Sequence, residues 1–343
     1  MPIFPIFRQL RWLRGNKRVD FRGVLLTLVA MRSIFSAVLA SCLLVLSRAD
    51  AVEGADWGFY REGNEIVLSI PGLKDDFKVM FIADAHLSSM EGLVGEYADY
   101  ASRMGKSAKP DFTRLKSALA LAEKEGYAAV VLGGDIINFP SERNVELLLE
   151  CVRSVSIPVL YTSGNHDWHF EGEAGSDMEQ RRRWVEKALL PLYADGKNWA
   201  LYSRVVNGVK LIIVDNSTYE ILPEQLGALE REISDGHKCV VFAHIPFYFP
   251  ATDVFFGCGN PNWKAENDLY FKVERRQRWP ERGQSKTTFD FWERLFSAPN
   301  VMGFFAGHIH NMSTQFYRGK FQVVAPAFRS KENFIRINFK GKK

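Results

Sequence analysis

The residues of this 343-residue sequence that could do chemistry lie in short polar clusters, each directly after an apolar run. In chain order the five clusters are Asp84-Ala85-His86, Gly134-Asp135, Gly164-Asn165-His166-Asp167, His244, and Gly307-His308-Ile309-His310. Carboxylates, imidazoles and one amide oxygen, without a thiolate, suit divalent ions such as Mn, Fe, Zn or Mg. The set holds more candidate ligands than one ion takes, so it predicts two metal ions.

Each cluster on its own also fits an ordinary structural role. Gly-Asp and Gly-Asn are common turn sequences, and a lone histidine at a strand end is more often a hydrogen-bonded structural residue than a ligand. What favours a site is the conjunction: five of the seven histidines fall in these clusters.

The elements that must position the clusters alternate between strands and helices. The apolar runs "FKVMFIAD", "AAVVLGGD", "PVLYTSGN", "CVVFAH" and "VMGFFAGH" each end in a cluster. Amphipathic helices are predicted around Leu115 and Leu119 and around Val145 and Leu148, and Asn207-Gly208 predicts a hairpin. This order predicts an α/β fold with a largely parallel sheet. The carboxyl ends of such strands share one edge, where ligands bind.

The clusters resemble the sequence pattern of the calcineurin-like metallophosphoesterase superfamily, which is DxH, GD, GNH[DE], a lone H and GHxH. This chain reads "DAH", "GD", "GNHD", "AHIP" and "GHIH" in that order, over roughly residues 77–312. The resemblance implies a double β-sheet sandwich flanked by helices, two divalent metal ions, and hydrolysis of phosphate esters with a metal-activated hydroxide as nucleophile.

Carried over by motif, the resemblance also implies a role for each residue. The first metal would be held by Asp84, His86, Asp135 and His310, and the second by Asp135, Asn165, His244 and His308, with Asp135 bridging. His166 would assist the leaving group, and Asp167 would orient His166. Purple acid phosphatases have a tyrosine ligand three positions after the GD aspartate, where this chain has Asn138; a ferric tyrosinate centre is therefore disfavoured.

Two longer segments, near residues 87–110 and 247–287, are predicted to be insertions on the substrate side of the domain. The second combines aromatic residues with arginines, which suits the non-phosphate part of a substrate; the alternative is that the aromatic rings pack on one another. The second segment carries, among others, Tyr248, Phe249, Phe255, Phe256, Trp263, Tyr270, Phe271, Trp279, Arg275, Arg276, Arg278 and Arg282.

The net charge of +4 is concentrated at the N-terminus. Residues 1–51 contain eight basic and two acidic residues, which leaves 36 basic and 38 acidic residues in the rest of the chain. The body of the protein therefore offers no electrostatic argument for nucleic acid as a partner. A phosphate-ester substrate is the expected partner, with a nuclease-type phosphodiesterase or a catalytically weak metal-binding scaffold of the same fold as alternatives.

Residues 1–51 are predicted to be a targeting segment. From Met31 the chain has a positive start, an apolar stretch and the small-x-small pattern Ala49-Asp50-Ala51, as in a signal peptide cleaved after Ala51. The alternative is an uncleaved anchor over residues 24–46, interrupted by Arg32. Both interpretations predict that the domain at residues 52–343 is exported, with a membrane contact only through an uncleaved N-terminal segment.

The cysteines give little support to a disulfide framework. Outside the targeting segment the chain has Cys151, Cys239 and Cys258, which allow at most one internal disulfide. The apolar surroundings of Cys151 and Cys239 predict buried free thiols.

Overall fold

The computed structural model describes residues 55–89, 91, 98–99, 102, 111–169, 173–194, 196, 198–250 and 284–342. The predicted targeting segment, Cys258, and most of the two predicted insertions lie outside these residues. Among the residues that are described, no helix is both long enough and apolar enough to cross a membrane.

The first sheet combines a parallel half with an antiparallel edge. Strands β3, β4 and β5 pair in parallel, β12 pairs antiparallel with β3 and parallel with β2, and β1 forms a hairpin with β2. Its spatial order is β1-β2-β12-β3-β4-β5. The strands are β1 Gly58–Glu62, β2 Glu65–Pro71, β3 Phe77–Ile82, β4 Ala129–Gly133, β5 Val159–Thr162 and β12 Ile335–Lys342.

The second sheet has a parallel centre between two antiparallel edges, in the order β10-β11-β9-β8-β7-β6. Its strands are β6 Leu201–Val206, β7 Val209–Val214, β8 Lys238–Ala243, β9 Val301–Ala306, β10 Ser313–Tyr317 and β11 Lys320–Val324. The predicted hairpin at Asn207-Gly208 is confirmed, and it joins β6 to β7. Both turn residues have positive φ, as a type I′ turn requires.

Longer helices flank the two sheets, and one four-residue helix carries the polar cluster that follows β5. The helices are α1 Phe112–Lys124, α2 Glu142–Val152, α3 Asn165–Trp168, α4 Asp177–Trp184, α5 Pro223–Ile233 and α6 Lys286–Ser297. Helix α1 buries Leu115 and Leu119, as its sequence pattern predicts. Helix α4 begins with a capping box between Ser176 and Glu179. Cys151 and Cys239 are buried free thiols, which confirms that prediction.

Two apolar layers hold the sandwich together, because neighbouring residues of a strand point to opposite faces of its sheet. Phe81 of β3 packs against Phe242 of β8 and Phe305 of β9 between the sheets, with ring centroids 5.5 Å and 6.1 Å away. Phe304, one residue earlier, points outwards and packs on Phe296 of α6 at 5.2 Å. The predicted double-sheet sandwich flanked by helices is confirmed.

This architecture brings the polar clusters together at one end of the sandwich. Strands β3, β4 and β5 run parallel in one sheet, and β8 and β9 run parallel in the other. Backbone hydrogen bonds then join the clusters directly: Asp84 N donates to Gly134 O at 3.0 Å, and Gly307 N donates to His244 O at 2.9 Å. The clusters therefore form one continuous rim.

Candidate metal centre

One group of candidate ligands lies at the mouth of the cleft, and we call it the open position: Asp84, His86, Asp135 and His310. The Nε2 atoms of His86 and His310 are 3.0 Å apart, and His310 Nε2 is 3.4 Å from Asp84 Oδ1. The side chains of His86 and His310 are 23% and 36% exposed. This position can therefore exchange ligands with solvent.

A second group lies deeper, and we call it the buried position: Asp135, Asn165, His244 and His308. His244 Nε2 is 3.3 Å from His308 Nδ1 and 3.3 Å from Asp135 Oδ2. The His244 side chain is fully buried, and His308 is 5% exposed. His244 Nδ1 lies 3.0 Å from the Gly133 carbonyl oxygen; a proton on Nδ1 donated to that oxygen leaves Nε2 as the ligand atom.

Asp135 lies between the two positions. Its Oδ1 accepts a hydrogen bond from His166 N at 2.8 Å, and its Oδ2 is 3.8 Å from His86 Nε2 and 3.3 Å from His244 Nε2. Asp135 Oδ2 and Asn165 Oδ1 are both buried, and neither receives an aligned hydrogen bond from any residue that the structure describes. Buried acceptors without donors are costly in a protein interior, and cations would satisfy them.

The electrostatics of the site also call for positive charge at its centre. Burial raises the pKa of Asp135, but the neighbouring histidines, His244 first, outweigh burial and hold that pKa well below its usual range. Burial lowers the pKa of His244, whereas Asp135 raises it, and the result is a pKa of about 9. Burial, assisted by nearby His166, lowers the pKa of His86 to about 3. His86 is therefore neutral at pH 7, the form in which imidazole binds a metal.

The ligand-bearing loops have strained backbones. A positive φ is uncommon for residues other than glycine, and it persists where the surrounding structure enforces it. Gly134, which precedes Asp135, also has a positive φ. Five of the seven candidate ligands have positive φ, with values of 55° for Asp84, 45° for His86, 51° for Asp135, 71° for His308 and 64° for His310.

Two glycines are required because they let these loops approach one another. A Cβ atom on Gly164 would overlap the carboxylate of Asp135, and one on Gly307 would lie 2.5 Å from Asp84 Oδ2. These contacts explain why each of the two motifs begins with glycine.

His166 lies at the rim beside the open position. Its ring is edge-on to the His86 ring, with centroids 4.7 Å apart. His166 Nδ1 lies 3.1 Å from the backbone oxygen of Asn138. A proton on Nδ1 donated to that oxygen fixes the ring and leaves Nε2 as the atom that can exchange a proton with a substrate.

The predicted contact between Asp167 and His166 is wrong. Asp167 is fully buried, and its carboxylate accepts hydrogen bonds from Ile137 N at 2.9 Å and Gly164 N at 2.7 Å. Burial and the charge of nearby Asp135 raise the pKa of Asp167 to about 7. Asp167 therefore stabilises the turn that carries Asn165. The backbone carbonyl of Asn138, and not the Asp167 carboxylate, orients the His166 ring.

Sequence reasoning missed Tyr219, whose Oη lies 2.7 Å from His308 Nε2. Tyr219 follows β7 closely, and β7 is as apolar as the strands that end in the predicted clusters. The same search for polar residues after apolar runs could have found "DNSTY", residues 215–219. Asn138 could not have been found in this way, because it contributes a backbone atom.

The structure also places Phe249 of the second predicted insertion and the two histidines outside the clusters, His169 and His237. Phe249 is fully buried and packs edge-on to Phe296, with ring centroids 5.2 Å apart, so this part of the second insertion follows the alternative in which aromatic rings pack on one another. His169 Nδ1 contacts Gln180 Oε1 at 3.0 Å, and His237 lies beside Asp235 at the start of β8.

The calcineurin-like phosphoesterase family model matches residues 77–312. The chain therefore belongs to that family, as its motifs predict. Among curated proteins, none matches this chain.

Solved structures similar to this chain share little sequence with it. One is a dimetal phosphatase from Danio rerio, at 14% identity, covering 73% of this chain and 87% of that chain, with a TM-score of 0.43. Another is purple acid phosphatase PPD1 from yellow lupin (Lupinus luteus) seeds, at 14% identity, covering 76% of this chain and 46% of that chain, with a TM-score of 0.49.

Proposed function

We propose that this protein is an exported, metal-dependent hydrolase of phosphate esters, either phosphomonoesters or phosphodiesters. The observation that carries the proposal is the pair of buried acceptors, Asp135 Oδ2 and Asn165 Oδ1, which lack aligned donors among the described residues. Imidazole nitrogens of His86 and His244 lie within 3.8 Å and 3.3 Å of Asp135 Oδ2. Such a donor set fits two divalent cations that share Asp135.

The two positions would hold Mn, Fe, Zn or Mg ions. When bound, two such ions activate a water molecule and neutralise charge on the attacking and leaving oxygens of a phosphate ester. The open position faces solvent through His86 and His310, so a substrate phosphate would enter from that side.

His166 is the residue of this chain that would move a proton. Because Nδ1 is held by the Asn138 carbonyl oxygen, Nε2 is left for the substrate. In its protonated form the imidazolium would stabilise negative charge on the phosphoryl group and give its Nε2 proton to the departing oxygen. The hydrogen bond from His166 N to Asp135 Oδ1 ties the same residue to the bridging carboxylate.

Two other functions compete with this proposal. A metal-binding scaffold without turnover would have no use for a histidine held at the rim by a specific backbone bond, as His166 is. A nuclease would need a positively charged surface for the phosphate backbone, whereas residues 52–343 contain 36 basic and 38 acidic residues.

The experiment is an assay of the purified full chain, loaded in turn with Mn, Fe, Zn and Mg, on p-nitrophenyl phosphate and on bis(p-nitrophenyl) phosphate. We expect metal-dependent turnover of at least one of them, and the preferred compound separates monoesterase from diesterase activity. A protein that binds two ions but turns over neither compound with any metal would support the scaffold.

Export is proposed from the N-terminal sequence alone. A fusion of residues 1–60 to a reporter should be exported, and N-terminal sequencing of the mature protein should give Val52 if the segment is cleaved after Ala51. A reporter that stays in the cytoplasm would contradict both the signal-peptide and the anchor interpretations.

A further inference from the structure

A segment that contains no candidate metal ligand contacts three of the four loops that carry the ligands of the buried position. It follows β7 and comprises Asp215–Tyr219, "DNSTY", and we call it the bracing segment. Its first contact is with the loop after His244. Asn216 Nδ2 donates to Ile245 O at 2.7 Å, and Ile245 N donates to Asn216 Oδ1 at 3.0 Å. This pair of bonds fixes the residue next to His244.

The second contact reaches the short helix that begins with Asn165. Trp168 Nε1, at the end of that helix, donates to Ser217 Oγ at 2.8 Å. Ser217 Oγ in turn donates to Asp215 Oδ1 at 2.6 Å, and Arg181 Nη1 lies 3.2 Å from the same oxygen. Arg181 and Asp215 are 1% and 0% exposed. The bracing segment is therefore anchored to helix α4 by a buried ion pair.

The third contact is made with a candidate ligand itself. Tyr219 Oη lies 2.7 Å from His308 Nε2, and the two rings meet edge to face with centroids 5.6 Å apart. His308 Nδ1 faces the buried position, 3.3 Å from His244 Nε2. For Nδ1 to bind a cation its lone pair must be free, so the ring proton must be on Nε2, where Tyr219 Oη accepts it.

The structure holds Tyr219 in an unfavourable backbone conformation. Its φ is 62°, which is a rare value for a bulky side chain. Tyr219 N donates to Asn216 O at 2.9 Å, and Gln284 Nε2 donates to Tyr219 O at 2.6 Å. These bonds keep a 5% exposed tyrosine directed at His308. Strain of this kind is typical of functional sites.

We propose that Tyr219 is a positioning residue for the buried metal position: it selects the His308 tautomer that presents Nδ1 and fixes the plane of that ring. The proposal rests on the metal centre proposed above. Loss of an outer hydrogen-bond partner of a metal-binding histidine typically lowers metal affinity about 10- to 100-fold. Tyr219 Oη contacts a ligand of the buried position, so the affinity of the open position should stay unchanged.

The test is the Tyr219→Phe variant of the full chain, which removes one oxygen and keeps the ring. Metal-free protein is titrated with Co²⁺ by calorimetry and by visible absorption, which reports the ligand geometry of each bound ion. We expect two ions in the wild type. In the variant, one ion should bind with unchanged affinity and the other about 10- to 100-fold more weakly, with an altered spectrum for the weak ion only.

The matched control is Tyr202→Phe. Tyr202 Oη is also buried, and it accepts from Tyr161 N at 2.8 Å and donates to Tyr161 O at 2.9 Å. This variant should lower the melting temperature of the metal-free protein and leave both Co²⁺ affinities unchanged.

The outcomes separate the two proposals. Equal affinities for both ions in Tyr219→Phe and wild type, or equal weakening of both ions, would overturn the positioning role of Tyr219. A wild-type chain that binds no Co²⁺ would instead overturn the metal centre, and with it the proposed hydrolase.

Discussion

The open and buried positions are built from similar ligands but are held in different ways. The open position is supported by backbone bonds: His86 N donates to Asp135 O at 2.9 Å, and Ala327 N donates to His310 O at 3.2 Å. The buried position is supported by side chains of the bracing segment, with Tyr219 bonded directly to a ligand. In the proposed metal centre, this difference predicts that the ion in the buried position is held firmly and that the ion in the open position is accessible to solvent and substrate.

Asp135 is the element that the two positions share, so its replacement should have the largest effect. In Asp135→Asn one carboxylate oxygen becomes an NH₂ group, which cannot bind a cation. We expect loss of both ions and of all metal-dependent turnover, measured by elemental analysis of the purified variant and by the phosphate-ester assays. Retention of two ions would show that Asp135 does not bridge the two positions and that they do not share a ligand.

Replacement of His166 tests whether turnover can be lost while both metal ions stay bound. His166→Ala should keep both ions and lose about 10²- to 10⁴-fold in turnover, because general acid catalysis contributes about that much. The matched control is His237→Ala at the surface, where the side chain is 39% exposed; that variant should have wild-type turnover. If His166→Ala loses a metal ion, His166 is a ligand and its assigned role is wrong.

Chelation measures the difference between the two positions directly. With excess EDTA we expect two phases of ion release. The phase from the buried position should be about tenfold slower or more, since release from a buried site requires local opening of the structure. His310→Ala should remove the fast phase and His308→Ala the slow one. A single phase in the wild type would show that the positions do not differ in access.

Arg114 should have the smallest effect, confined to the open position. Arg114 Nη1 donates to Arg329 O at 2.9 Å, and Nη2 contacts Ala85 O, between two ligands, at 3.4 Å. In Arg114→Ala the loss of about 0.5–1.5 kcal/mol for such a bond should weaken the open position by up to about tenfold. Arg143→Ala, which removes exposed ion pairs, is the control and should change neither affinity.

The ligands could be predicted from sequence because each closely follows a predominantly apolar strand. The end of each apolar run marks the end of a strand, and parallel pairing brings the ends of neighbouring strands to the same edge of the sheet. Asp84, Asp135 and Asn165 can therefore be predicted to be neighbours without knowledge of distances. The side chains of β9 alternate between the two faces of the sheet, with Phe305 inside and Phe304 outside. This alternation could also be predicted, because successive residues of a strand point to opposite faces.

The supports of the ligands could not be predicted in this way. The partner of His166 is the backbone oxygen of Asn138, and a backbone atom carries no signature in the side-chain sequence. Tyr219 and His308 are 89 positions apart, and both have a positive φ, which the sequence does not reveal for residues other than glycine. Asp167 follows its family motif, but the local turn directs its carboxylate to two backbone NH groups and away from His166.

We propose that this chain holds two metal ions, one in a position open to solvent and one in a buried position. Anomalous diffraction from crystals of the full chain grown with Mn²⁺ tests it most directly. We expect two anomalous peaks: one among Asp84, His86 and His310, and one among Asn165, His244 and His308, with Asp135 contacting both. A single peak, or none at these residues, would contradict it.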